Sequence, residues 1–357
     1  MKKVLIVLGS GGVGKTTSAA ALGLALAKNQ KGALFTIDPS KRLCQTLGLE
    51  KLSLEPQLLC ENRLEAYGLE IQEGLKKLIT RIIKDEQRVD KLLKHRLFKI
   101  IEGNISHLDH FVAIDKIVEL LDRKDLDFIV IDTPPHDQAF EFFESPRVLA
   151  DFLDKGFLGY LIDTPETSKN IFTAIFSRAL EEGWKIFKAL FGQSFWDELS
   201  LLLKELLPLR ERLLYASERM MTLLSSADTE ALVVSVPEKM PMSVAQRLSS
   251  DWNSKMKLKI KALVLNKCLV DFNDDKMSAA YDEDLARIRE SLNSSLFEKK
   301  LKLQKEVFAQ KWLANIPKTI KLKQLSKDEL RLDRLEEVGN EIAREITKEF
   351  NSGIANE

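Results

Sequence analysis

A doubly wound, mostly parallel α/β sheet with a helical insertion is the fold this sequence predicts. Three observations carry the expectation. Short, almost continuously apolar runs alternate with helical segments in the first third of the chain. The same kind of run returns after residue 229, and between the two regions no strand pattern occurs. Strands that are apolar on both faces belong to parallel sheets covered by helices on each side.

The elements follow in order. Val4–Leu8 reads as a buried strand and Lys15–Lys28 as the helix that follows it. Ala33–Ile37 is a second strand, ending at Asp38-Pro39, and Leu64–Leu69 a third. Charged helical stretches cover roughly 71–83, 87–101 and 107–121 before the strand Phe128–Ile131, which ends in Asp132. Residues 168–191 and 195–207 read as helices rich in leucine and aromatic side chains. Strands return at Ala231–Val236 and Ile260–Leu265, with a further short one expected at Trp312–Ile316 and a charged helix from about Lys327 to Phe350. The expected division is therefore 1–149 as the first part of a nucleotide-binding domain, 150–228 as the insertion, and 229–357 as the second part.

The most telling stretch joins the first strand to its helix. Gly9-Ser10-Gly11-Gly12-Val13-Gly14-Lys15-Thr16 fits G-x-x-x-x-G-K-[ST], followed by Thr17. Glycines let the backbone curl so that N–H groups converge on phosphate oxygens, and the helix start adds its positive end. Lys15 is expected to neutralise the β- and γ-phosphates and Thr16 to hold Mg2+ beside ATP. Ligands of open parallel sheets sit beyond the carboxyl ends of the strands, where Asp38 and Asp132 also fall. Asp132 is expected to support the metal, with a turn-forming aspartate as the alternative. Asp38 is a candidate for positioning the water that attacks the γ-phosphate, and a helix cap is its plain alternative. Asn266 ends a late strand, where its amide suits the edge of adenine and equally suits a turn.

Composition narrows the classes. The 54 basic residues are balanced by 54 acidic ones, so no charge excess calls for nucleic acid. Cys44, Cys60 and Cys268 are far apart with no C-x-x-C pair, which points to a reducing, cytoplasmic setting and against a sequence-local zinc site. His107 and His110 share a helical spacing without a further ligand, and His136 lies close to Asp132.

The order GSGGVGKTT, TIDPSKRLCQTLGL, IVIDTPPHDQAFEFF, VLNK resembles the ArsA-type ATPases. These are arsenite-pump ATPase subunits and related targeting factors for tail-anchored membrane proteins, within the dimeric P-loop class of MinD and ParA. The resemblance covers roughly residues 1–150 and 230–330. It implies that Asp38 is the hydrolytic aspartate of switch I, that 132–138 is switch II, and that Asn266 reads adenine. It also implies an ATP-driven association of two chains that reshapes a surface of the insertion. Three departures stand out. Ser10 replaces the lysine of the family's GKGGVGKT, Gln138 stands where a switch II histidine falls, and C-x-x-C is absent. Losing a cation near the transferred phosphate can cost orders of magnitude in rate.

Phe172, Phe176, Leu180, Trp184, Phe187 and Phe191 share one helical face. A core-packing stripe, a groove for an apolar client helix, a dimer contact and a transient membrane contact are the readings of it. Together these features predict a magnesium-dependent ATPase acting on a protein or apolar-helix partner, as a homodimer or a heterodimer with a related chain. The rival is a nucleotide-gated scaffold with little hydrolysis, resembling the MinD and ParA positioning switches.

Overall fold

The computed structural model describes residues 2–38, 42–96, 98, 99, 108–135, 138–145, 211–269, 294–323 and 332–347. The aromatic stripe at 172–191, the helices at 168–191 and 195–207, His107 and His136 lie outside these residues. Two compact units are present: 1–70 with 116–141 and 221–357, and 71–115 with 142–220.

The first unit holds one eight-stranded sheet. Its strands are β1 (Lys3–Gly9), β2 (Gly32–Thr36), β3 (Gln57–Leu59), β4 (Leu64–Gly68), β5 (Phe128–Asp132), β6 (Thr229–Ser235), β7 (Lys259–Cys268) and β8 (Thr319–Lys323). They run in the order β3-β4-β2-β5-β1-β6-β7-β8. Every pairing is parallel except that of β3 with β4. The α/β expectation is met, and its cause is visible in the burial: every residue of β2, β4, β5 and β6 is buried. Such strands survive only under helices on both faces.

Helix α1 (Lys15–Leu26) follows the glycine-rich turn. Its run Ala19-Ala20-Ala21 is fully buried, and these small side chains let α8 (Leu332–Thr347) come close. A Cβ on Gly339 of α8 would sit 1.9 Å from the Ala21 carbonyl oxygen. Only hydrogen fits there.

The amino ends of the strands carry buried charges that are paired off. Glu230 lies 3.4 Å from both Lys3 and Lys261. Glu65 accepts hydrogen bonds from Arg123 (Nη2, 2.8 Å) and from the Tyr67 hydroxyl. The carboxyl ends are different, as the next subsection describes.

The second unit is helical where it is described. Helix α3 (Ile71–Ile83) buries Leu75, Leu78 and Ile79, and Asp85 caps α4 (Glu86–Lys94) by accepting from Arg88 N at 3.1 Å. Asp115 takes Arg81 at 3.0 Å and Arg212 Nε at 2.6 Å. His110 packs edge-on against Phe142 with ring centroids 5.3 Å apart. Residues 71–115 cluster with 142–220 in this unit.

One element is corrected. Trp312–Ile316 was expected to be a strand, yet Lys311–Asn315 is a 3₁₀ turn, closed by the Ile316 N–H on the Leu313 carbonyl. Pro317 follows at once and cannot donate to a ladder. The strand comes two residues later as β8, in which Ile320 and Leu322 are buried between lysines. An edge strand shows period-two alternation rather than a continuous apolar run.

Candidate functional site

Beyond the carboxyl end of β1 the chain makes the glycine-rich loop. Gly9, Gly12 and Gly14 have φ of 155°, 77° and 100°, all in the region that favours glycine. At Gly14 a Cβ would also meet Asn266 Nδ2 at 2.3 Å. The loop ends in α1, whose first turn holds no acidic side chain, so the positive end of the helix is unopposed. Lys15 is buried, and its Nζ donates to the Ser10 carbonyl at 2.9 Å, spanning the loop. Burial holds its pKa below the usual lysine value, with Asp132 and then Asp38 opposing that shift and Arg42 adding to it.

Asp132 is the last residue of β5, between β1 and β2, in register with Val7 on one side and Thr36 on the other. Its carboxylate is fully buried. Thr36 Oγ1 donates to Oδ2 at 2.8 Å. Oδ1 meets no hydrogen-bond partner of good geometry, although the Thr16 hydroxyl is near enough to ease the charge. Burial pushes the Asp132 pKa up to about 6 against the help of Thr36, Thr16 and Lys15, and the neighbouring Asp38 adds to the rise. A buried carboxylate oxygen without a donor, beside a hydroxyl and a phosphate-binding turn, fits a hard cation that prefers oxygen ligands. Among the described residues there is no cluster of three or more His, Cys, Asp or Glu that would hold another metal.

Asp38 enters the same place from β2. The Ile37 N–H bonds the Asp132 carbonyl at 2.9 Å, which fixes the exit of β2 against β5. The field of the Asp38 carboxylate is felt at both Lys15 and Asp132. On its other side, Arg42 Nη1 stands 4.0 Å from Asp38 Oδ2. Thus Lys15, Thr16, Asp38 and Asp132, from three separate segments of the sequence, meet at one sheet edge.

Asn266 is placed at the loop by a specific bond. Its Nδ2 donates to the Val13 carbonyl at 3.0 Å, and its Oδ1 accepts from the Lys267 N–H at 2.9 Å. The side chain therefore braces the phosphate loop from β7 and has one amide hydrogen left for a ligand. Sequence reading passed over Thr36 and Arg42 as site residues, and took in Thr133 only as part of the span 132–138. Thr36 lies two residues before Asp38, so the period of the strand places both on one face, a signal that was present. Thr133, whose hydroxyl donates to the Val7 carbonyl at 2.7 Å, carries no such signal.

Comparison with known proteins agrees with this geometry. The family model described as anion-transporting ATPase matches residues 2–322. The chain is 26% identical over 290 residues to a protein named putative arsenical pump-driving ATPase 2 from Aquifex aeolicus, covering 79% of this chain and 85% of that protein. It is 24% identical over 295 residues to ATPase GET3B of Arabidopsis thaliana, covering 77% of this chain and 66% of the relative. A shorter match, 32% identical over 141 residues, is to a putative septum site-determining protein MinD from Emiliania huxleyi, covering 39% and 46%. With the phosphate loop formed and a family match that runs nearly the whole chain, this protein belongs to the anion-transporting ATPase family and is an ATPase of the ArsA type.

Proposed function

We propose that this chain hydrolyses ATP with magnesium at the Gly9–Thr17 loop, and that nucleotide binding drives two chains together to control the hold on a protein partner. The observation that carries the reading is the meeting of Lys15, Thr16, Asp38 and Asp132 at one sheet edge. Loop amides from Ser10, Gly11, Gly12, Val13 and Gly14, with Lys15, bind the phosphates, and Thr17 lies beside them at the start of α1. Thr16 and Asp132 would hold the magnesium ion, which would supply charge neutralisation at the phosphates. Asp38 accepts a hydrogen bond from the attacking water and keeps it in line. Asn266 steadies the loop through Val13 and offers its remaining amide hydrogen to the adenine edge.

Support for the partner half is coarser. Relatives named putative arsenical pump-driving ATPase 2 and ATPase GET3B match this chain at roughly a quarter identity over three quarters of its length. An apolar client helix is the partner the resemblance favours, and a second related chain is the associate. No helix among the described residues is long and apolar enough to cross a membrane.

Asp38→Asn tests the hydrolytic part. The amide keeps the shape and loses the charge that orients water. We expect turnover to fall by about 100-fold or more, the scale of a lost positioning group, while ATP still binds. Phosphate release at saturating ATP, beside equilibrium binding of a fluorescent ATP analogue, checks it. Undiminished turnover would remove Asp38 from the mechanism.

A further inference from the structure

Among the described residues, the glycine-rich loop brings little positive charge to the nucleotide site. The loop supplies one cation, Lys15, and two carboxylates, Asp38 and Asp132, act on it. In phosphoryl transfer the negative charge spreads over three equatorial oxygens of the moving group, and a second cation there accelerates the step greatly. Position 10 is a serine whose side chain has no charge, and its carbonyl oxygen already engages Lys15.

Arg42 is placed to supply that charge. It opens α2 (Arg42–Leu47), four residues beyond Asp38. Its guanidinium is held beside the Asp38 carboxylate at 4.0 Å, an ion pair too long to be a hydrogen bond. The Arg42 side chain is 60% exposed and that of Asp38 19%. Leaving such a loose, solvated pair costs little. The Arg42 charge is also felt at Lys15. Arg42 thus stands beside Asp38, and its field acts at Lys15, the two residues read as flanking the γ-phosphate. Its planar fork matches phosphate oxygens in pairs.

We propose that Arg42 is a catalytic residue, whose guanidinium moves from Asp38 onto the equatorial oxygens of the γ-phosphoryl group as that group is transferred. This rests on the reading of Asp38 as the residue that positions water. In the step the water oxygen bonds to the γ-phosphorus. The bond from that phosphorus to the β–γ bridging oxygen breaks, and its electron pair leaves with ADP. The proton lost by water ends on the released phosphate. Arg42 exchanges no proton and acts only through charge. Its shift from Asp38 also releases that carboxylate to the water, so a single motion prepares both groups.

The test uses the full chain and the variant Arg42→Ala, with Asp38→Asn measured in parallel. Because Arg42 is solvated, its truncation leaves the fold unaffected, which circular dichroism verifies. The expected result is a kcat lowered by about 30-fold or more, the scale of a lost transition-state donor, with ATP affinity changed by less than about threefold. Affinity for ADP with aluminium fluoride, a mimic of the transferring group, falls by a comparable factor. Added guanidinium ion restores part of the rate of Arg42→Ala and none of that of Asp38→Asn. A kcat within about threefold of the parent chain overturns the proposal. So does a lowered rate with unchanged affinity for the fluoride complex and no rescue by guanidinium, since that pattern marks an ion pair that only steadies Asp38. If Asp38→Asn is inactive while Arg42→Ala retains full rate, this proposal alone falls. If Asp38→Asn keeps full turnover, the reading of Asp38 beneath it falls instead.

Discussion

Asp132 illustrates at the residue scale how the two ends of the sheet differ. At the amino ends Glu65 and Glu230 are buried beside basic partners, so their charge is compensated within the protein. Asp132 is as deeply buried, takes one good hydrogen bond from Thr36, and keeps Oδ1 without a donor of good geometry. Burial accordingly raises its pKa from 3.8 in a solvated aspartate to about 6. Between those values the unfolded chain holds fewer protons than the folded one at this carboxyl. Stability of the magnesium-free, nucleotide-free protein therefore falls as pH rises through that window, and the cost is fully present above it. At 1.4 kcal/mol per pH unit the cost reaches at most about 3 kcal/mol. Asp132→Asn should remove it. Urea unfolding of the parent and variant at pH 4 and pH 7 checks this: the variant should gain on the parent at the higher pH. A gap that does not change with pH would mean that the site already neutralises Asp132 from within.

Much of this site was legible because its residues stand at strand ends or in a spaced motif. Gly9–Thr16 matches a pattern whose geometry needs those residue types, and Asp38 and Asp132 each follow an apolar run. Arg42 was not legible as a site residue. It belongs to a charged stretch, and its approach to the Asp38 carboxylate shows only in the structure. Asn266 was expected to end its strand, but β7 runs on to Cys268, and the bond of Asn266 to the Val13 carbonyl depends on β7 lying near the loop, which no local pattern reports.

At the scale of elements, sequence periodicity served the centre of the sheet better than its margins. Strands β1, β2, β5, β6 and β7 fall where continuous apolar runs place them. β3 is short and exposed, and β8 alternates lysine with buried Ile320 and Leu322. These edge strands lack the two-sided burial that makes an apolar run visible. The close crossing of α1 and α8 is likewise a tertiary matter: Gly339 reads as a weak point in a charged helix, and its reason is the Ala21 carbonyl. Gly339→Ala would help an isolated helix by about 1 kcal/mol. In this protein the added methyl meets backbone at 1.9 Å and Ala25 Cβ at 2.9 Å. Forcing the helices apart should cost about 1–3 kcal/mol. A fall in the urea midpoint is expected, and a rise would show that α8 can shift without penalty. Because α1 begins at Lys15, the same variant should also weaken ATP binding.

At the scale of the whole molecule, the nucleotide site belongs to the unit formed by 1–70, 116–141 and 221–357, and the unit of 71–115 with 142–220 is helical where described. Ligand that binds the folded state stabilises it by an amount set by its concentration over Kd, about 2.7 kcal/mol at a hundredfold excess. The proposed association of two chains around ATP would add a dependence on protein concentration that a monomeric ATPase lacks. The first measurement is therefore ATP turnover by the purified chain with magnesium, beside its mass by light scattering with and without a non-hydrolysable ATP analogue. Turnover together with a doubling of mass on the analogue is the expected result: the chain then supplies its own catalytic groups despite Ser10. Analogue binding with neither turnover nor a change in mass would contradict it, and would mean that the catalytic charge comes from a different partner chain.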